Sequence, residues 1–357
     1  VRIAVLWTRS SGYFTACLRA LAARPDCEVM LSRARPDDSA PFAEDEFAWL
    51  SGQYLYDRVP DAGELHRRLA RFKPDVLLVC SWHIAAYRQA LGRFPMAVRI
   101  LAMDNQWRAT ARQWLGVLTA RRYLHPLYDV AFVPGERQAQ FARRLGFPQA
   151  RIWHGLYACD HETFAGVHRS RSAGKAWTPP ESFVFTGRLV PEKGIATLAA
   201  AYRLYAESVK TPWPLIVCGT GPLAAGLERQ PGIAMRGFVQ PRDLPGVFAE
   251  GGCLVLPSLS EPWGVVIQEA VAAGLAVICT TRCGASVHLV QDGYNGFVVE
   301  AGDAAGLARS MRRYAGLDAA RRRAMAENGH ALSFQFTPQR WAATIHEGSA
   351  EILAGRL

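Results

Sequence analysis

Long apolar runs are missing from this sequence: each stretch of Val, Leu, Ile or Phe is broken within several residues by a charge, a glycine or a polar side chain. A membrane-spanning helix needs about 20 consecutive apolar residues, so none is expected. The segment Val1 to Trp7 carries one Arg and a strand-like alternation, which is not the pattern of a secretory signal. Lysine is scarce as well, occurring only at 73, 175, 193 and 210, so the net charge of +10, from 41 Lys+Arg against 31 Asp+Glu, is nearly all arginine. No zinc-finger spacing occurs, and no helix of clustered Arg interleaved with stacking aromatics, which argues against a nucleic-acid partner. A basic surface then favours phosphorylated ligands or anionic lipid headgroups. The Gly-x-Gly-x-x-Gly expected after the first strand of a nicotinamide-dependent oxidoreductase is also lacking. Of eight cysteines, Cys80, Cys218, Cys253 and Cys279 lie in or at the end of strand-like runs and read as buried thiols. Cys279 and Cys283 lack the spacing of a zinc site, so a reducing compartment is expected and no metal.

What the sequence does contain is a rhythm. Its 357 residues suggest two domains of ordinary size. Val/Leu/Ile-rich strands such as "VRIAVLW", "EVMLS", "PDVLLVC", "VRILAM" and "DVAFVP" alternate with amphipathic helical segments, the pattern of a parallel sheet covered on both faces. Residues 165–181, "AGVHRSRSAGKAWTPPE", interrupt it with Gly, Ser, Pro and charge and are read as a linker. The alternation restarts with "SFVFTG", "PLIVCG", "CLVLP" and "AVICT". This predicts an α/β protein of two Rossmann-like parallel-sheet domains, residues 1–164 and 182–335, whose ligands sit beyond the carboxyl ends of the strands.

The stretch "LSEPWGVVIQEAVAAG" (259–274) is an apolar helix that carries two acids, Glu261 and Glu269. Ser260 or Glu261 is expected as its N-cap and Pro262 as its first helical residue, with the free amides of Trp263, Gly264 and Val265 as an anion or hydroxyl site. On one helix the two carboxylates would stand roughly 12 Å apart along the axis and about 80° around it, too far to share a proton. A capping role for Glu261 and a structural hydrogen bond for Glu269 would explain them equally well. Upstream, "FTGRLVPEKG" sets Gly187 at a strand end, followed by Arg188 and Lys193, two cations suited to a diphosphate. "VCGTGP" ends another strand with Gly219 and Gly221, which allow close backbone approach.

Taken in order, "TGRLVPEKG", "CGTGP", "RGFVQPRDLPGVFAEGGCLVLPSLSEPWGVVIQEAVAAGLAVI" and "VQDGYNGFVVEAGD" give the second half of the chain a resemblance to retaining glycosyltransferases of family four, which have the GT-B architecture. The resemblance implies a hexosyltransferase of glycan biosynthesis that moves a sugar from a nucleoside diphosphate sugar, linked to UDP or GDP, to a glycan, lipid-linked or small-molecule acceptor, without cofactor or metal. It implies that Glu269 holds the ribose, that Glu261 lies at the donor sugar beside the Trp263, Gly264 and Val265 amides, and that Arg188 and Lys193 neutralise the diphosphate. The main chain at Phe238 and Val239, after Gly237, would meet the base. The first half would bind the acceptor, with a C-terminal helix at about 336–357 packing back on it, in a cytoplasmic protein or one peripheral to the inner face of a membrane.

That first half follows the family less closely. Its first βα loop, "TRSSGYF", offers only Gly12 near the donor phosphates, and "ILAMDNQW" places Asp104 where relatives often have a His. Asp104 could bind a hydroxyl of donor or acceptor, or cap a following helix. His83, Trp82, Trp107 and Trp114 could line an acceptor groove or simply pack. Two alternatives remain: a nucleotide-sugar epimerase of the same architecture, and a non-catalytic nucleotide-binding partner subunit.

Overall fold

The computed structural model describes residues 1–8, 12–35, 44–174 and 177–355, with 44 and 45 by backbone alone. Arg9, Ser10 and Ser11 of the first βα loop lie outside the described residues, as does Lys175. The chain divides into two compact units, residues 1–158 with 336–357, and residues 159–335.

Among the described residues the first unit is built on seven parallel strands: β1 (Arg2–Leu6), β2 (Glu28–Ala34), β3 (Gln53–Tyr56), β4 (Val76–Val79), β5 (Val98–Ala102), β6 (Val130–Val133) and β7 (Ile152–His154), in the order β3-β2-β1-β4-β5-β6-β7. β4 and β6 are buried from end to end, as expected of strands covered on both faces. One face packs Phe14, Leu18 and Leu21 of the helix Gly12–Ala22 with Trp341 and Ile345 of the helix Pro338–Ala354. The other packs Leu65, Leu69, Tyr87 and Leu91. The Trp341 indole donates to the Leu156 carbonyl at 2.9 Å, which ties the last helix to the end of the sheet.

Among the described residues the second unit has six parallel strands: β8 (Phe183–Thr186), β9 (Leu215–Cys218), β10 (Ile233–Gly237), β11 (Cys253–Leu256), β12 (Ala276–Thr280) and β13 (Gly296–Val299), in the order β10-β9-β8-β11-β12-β13. The fold class is therefore α/β with two Rossmann-like parallel-sheet units. In each sheet the order reverses once, between β1 and β4 and between β8 and β11. Such reversals open a crevice at the carboxyl ends of the strands.

One expectation is overturned. Residues 165–181 are not a linker throughout: His161–Ser172 is a helix of the second unit, and the boundary falls at 158/159 instead of 164. Asp160 caps the helix, accepting from the Thr163 amide at 3.4 Å. His161, Phe164, Ala165 and Val167 are buried and His168 is half-buried, so 161, 164, 165 and 168 follow a helical spacing hidden because its two ends are histidines. His168 stacks on His330 with ring centroids 3.9 Å apart. Arg171 donates to the carbonyls of Phe248 and Gly251. All eight cysteines are free thiols, and only Cys27 is appreciably exposed.

Candidate functional site

The candidate site of the second unit lies at the reversal between β8 and β11. The chain leaves β8 through Gly187, whose φ of +151° is open to glycine, and then presents Arg188 on the surface. Among the described residues Arg188 makes no ion pair. Leu189 is buried and its amide donates to the Thr220 carbonyl at 2.8 Å, while Gly187 N donates to Cys218 O at 2.9 Å, so the loops after β8 and β9 are zipped together. Gly219 and Gly221 serve this junction: a side chain at Gly219 would collide with the Gly187 carbonyl, and one at Gly221 with Leu189. The close approach they permit is to neighbouring backbone.

A short turn, Pro191–Lys193, follows. Its Glu192 carbonyl accepts from the amides of Leu259 and Ser260, at 2.8 and 3.2 Å, which fastens it to the loop leaving β11. This brings the Lys193 ammonium onto the Glu261 carboxylate. Both side chains are largely shielded, 18% and 11% exposed. The ion pair joins two residues that the sequence reading assigned to different parts of a donor.

The helix after β11 begins later than expected. It spans Val265–Ala272, with Gly264 as N-cap at φ +95°, so Glu261 is not a cap and Pro262 is not a helical residue. The backbone of 261–263 is committed elsewhere: Glu261 O accepts from Gly284 N at 3.1 Å, Trp263 O from Ala285 N at 2.9 Å, and Glu261 bridges Cys283. The Trp263 ring is buried beside His288. The amides at the helix start without an intrahelical acceptor therefore include Val265, which belongs to the predicted set, and Val266, one residue past it. Since Glu261 is off the helix, the helical rise no longer measures its distance from Glu269. Glu269 itself is on the helix and half-buried, and burial pushes its carboxyl up to about 7. Phe238 is exposed and Val239 partly so, just beyond Gly237 at the end of β10.

The first unit has a cavity of its own, about 640 Å³, at the reversal between β1 and β4. Trp7, Thr8, Ser81, Asp104, Arg112 and Tyr157 contribute to its wall, as do His83 and Trp82. Asp104 does not cap a helix: the next one starts at Ala111 and is capped by Thr110. Its carboxylate instead accepts from the Tyr157 hydroxyl at 3.0 Å. Burial, with Tyr13 and the Asp104 charge adding to it, raises the Tyr157 phenol well above its ordinary range and keeps it a donor. Trp107 packs against Trp114 and Phe141. Gly12 opens the helix Gly12–Ala22.

This pairing of folds has many solved counterparts. A glycosyltransferase of Rickettsia africae superposes with a TM-score of 0.74 at 13% identity, over 99% of each chain. HepE of Anabaena, solved in complex with UDP and with UDP-glucose, gives 0.70 at 17% identity in its UDP complex, over 99% of this chain and 100% of that one. Likeness at such identities concerns the fold.

Sequence comparison is more specific for the second unit. Residues 169–331 match the family model described as Glycosyl transferases group 1. D-inositol 3-phosphate glycosyltransferase of Salinispora tropica is 33% identical over 182 residues, 46% of this chain and 36% of the relative. Sulfoquinovosyl transferase of Arabidopsis thaliana is 26% identical over 276 residues, 70% of this chain and 52% of the relative. The matched stretches span about half or less of these curated relatives.

Proposed function

We propose that the protein is a group 1 glycosyltransferase that moves a sugar from a nucleoside diphosphate sugar to an acceptor hydroxyl with retention of anomeric configuration and without a metal ion. The observation that carries the reading is the shielded Lys193–Glu261 pair at the β8/β11 reversal, beside a surface Arg188. Donor diphosphate entering there gives Lys193 a second anionic partner and Arg188 a first one, and the two cations stabilise the phosphate as it leaves. Glu261 then faces the sugar. In this scheme the C1–O bond to the phosphate breaks as a bond to the acceptor oxygen forms on the same face, and the acceptor proton passes to the leaving phosphate. Glu269 accepts from the ribose hydroxyls. The start of the helix Val265–Ala272 meets the donor, while the backbone at Phe238 and Val239 meets the base, uracil or guanine. UDP is supported by HepE, which was solved with it.

The cavity of the first unit is assigned to the acceptor, with Asp104 as a hydrogen-bond acceptor for a sugar hydroxyl. The net charge of +10 suits an anionic surface as a further partner, and no described helix is long and apolar enough to cross a membrane.

Transfer or slow hydrolysis of UDP- and GDP-sugars by the wild type, Arg188→Ala and Glu269→Ala tests the reading. Arg188→Ala is expected to lower turnover on the order of a hundredfold or more. Glu269→Ala is expected to weaken donor binding. Unchanged turnover and affinity in both variants would sink the proposal.

A further inference from the structure

The cavity of the first unit has two kinds of wall. Thr8, Ser81, Asp104 and Tyr157 make one part polar. There the Thr8 and Ser81 hydroxyls stand 3.2 Å apart, and Ser81 holds a φ of +57°, a strained conformation of the kind found where ligands are held. The other part is apolar: Leu101, Leu124, Phe141 and Leu145 line the cavity and also belong to the core cluster on one face of the sheet. Core side chains normally close up on one another, because an unfilled void costs stability in proportion to its volume. A space with such a lining is a poor host for water and a good one for an apolar group.

The helix Ala111–Tyr123 keeps that space open. At about 100° per residue, Arg112, Gly116, Thr119, Ala120 and Tyr123 fall on one side of it, and all five line the cavity. Gly116 is the unexpected member, since glycine inside a helix is destabilising relative to alanine. Its φ is not positive, so its backbone conformation does not require a glycine. Nor does close packing: a Cβ built on it would meet no neighbouring element among the described residues within 4 Å. What the missing side chain leaves is room, one helical turn before Ala120 and two before Leu124.

β5 sets the scale between the two parts. Leu101, Ala102, Met103 and Asp104 lie in succession, all four on the cavity wall, and the Met103 amide prolongs the ladder by donating to the Phe132 carbonyl at 3.0 Å. At about 3.3 Å per residue, Leu101 stands roughly 10 Å from Asp104. That is about the reach from one hydroxyl of a pyranose, across the ring, to a small group attached on its far side. We infer that the acceptor carries an apolar substituent, such as an aryl group, seated among Leu101, Leu124, Phe141 and Leu145, and that Gly116 sets the size admitted. This rests on the assignment of the cavity to the acceptor in the proposed function and names the class of acceptor: a hydroxyl held at Asp104 and an apolar group in the core-lined part.

Calorimetry of the full chain with matched methyl and phenyl glycosides of glucose, galactose, mannose and N-acetylglucosamine tests it without recourse to transfer activity. In at least one pair the phenyl glycoside is expected to bind about tenfold or more tighter, from the apolar area removed from water. Gly116→Leu fills the space and should bring that pair to within about threefold of each other, while keeping the UDP-induced thermal shift of the wild type. Gly116→Ala, with a smaller side chain, should keep the preference. Both variants should melt no lower than the wild type, because each replaces glycine by a better helix former in open space. Equal affinities within every pair, or no binding of any phenyl glycoside, overturn the inference, as does a preference undiminished in Gly116→Leu. A Gly116→Leu protein that melts well below the wild type overturns it too, because the space would then not be open. If UDP shifts neither protein but the preference appears and Gly116→Leu removes it, the apolar site stands and the transferase reading fails.

Discussion

A methyl group added at Gly219 would have nowhere to go: φ is +144° and the Gly187 carbonyl fills the space. Gly219→Ala is therefore expected to cost about 2 kcal/mol or more of stability, seen as a lower denaturant midpoint, and to disturb the loop that carries Arg188. At Glu269 the chemistry is in the proton. With its carboxyl near 7 in the free protein, and ribose hydroxyls favouring the ionised form, nucleotide affinity should rise with pH through neutrality. Calorimetry in two buffers should find proton release on binding, and Glu269→Gln should show less release and a weaker pH dependence, the remainder being that of the nucleotide's own terminal phosphate. That Gly187, Arg188, Lys193, Gly219 and Gly221 would lie in the loops after strands was readable from the sequence, because those loops follow unbroken apolar runs. The geometry at Glu261 was not. An S-E-P string looks like a helix start, and only the hydrogen bonds of 261–263 to Gly284 and Ala285, far along the chain, delay the helix to Val265.

On the scale of elements, His161–Ser172 makes the second unit sensitive to acid. His161, His168 and His330 are all held below their ordinary range, mainly by burial, His168 at about 4. Each is neutral when folded and takes up a proton more readily when unfolded. Their contribution to stability is thus present above about 6.5 and lost as pH falls toward 4. Denaturant midpoints measured from neutral pH to about pH 5 should fall, and His168→Phe should fall less. The variant also removes a buried Nε2 that has no hydrogen-bond partner among the described residues. The same histidines explain why the sequence reading missed this helix: a stacked imidazole packs as an aromatic but reads as polar. β3 went unread for a different reason, being a four-residue edge strand of which only Tyr54 and Tyr56 are buried. The fully buried strands β4, β6, β9, β11 and β12 could not be missed, since burial on both faces demands a run of apolar side chains, broken here only by Thr280 at the end of β12.

For the whole molecule, the two units should report separately. The Trp341 ring, 1% exposed, packs against Phe14 of the first unit, so removing 336–357 strips one face of that sheet of its cover. Differential scanning calorimetry should then show a transition of the first unit lowered or lost, with that of residues 159–335 kept. UDP should raise the latter, since a ligand stabilises the unit that binds it. A nucleotide shift confined to the first unit would contradict the assignment of the donor site.

That division also sets an order of birth. Residues 159–335 are continuous, and once made they hold everything their sheet needs. The first unit waits with Phe14, Leu18 and Leu21 uncovered until the helix Pro338–Ala354 leaves the ribosome, after the second unit has been synthesised. The earlier-made unit is thus the later to finish. During that interval its bare apolar face is the part of the nascent chain most in need of a chaperone.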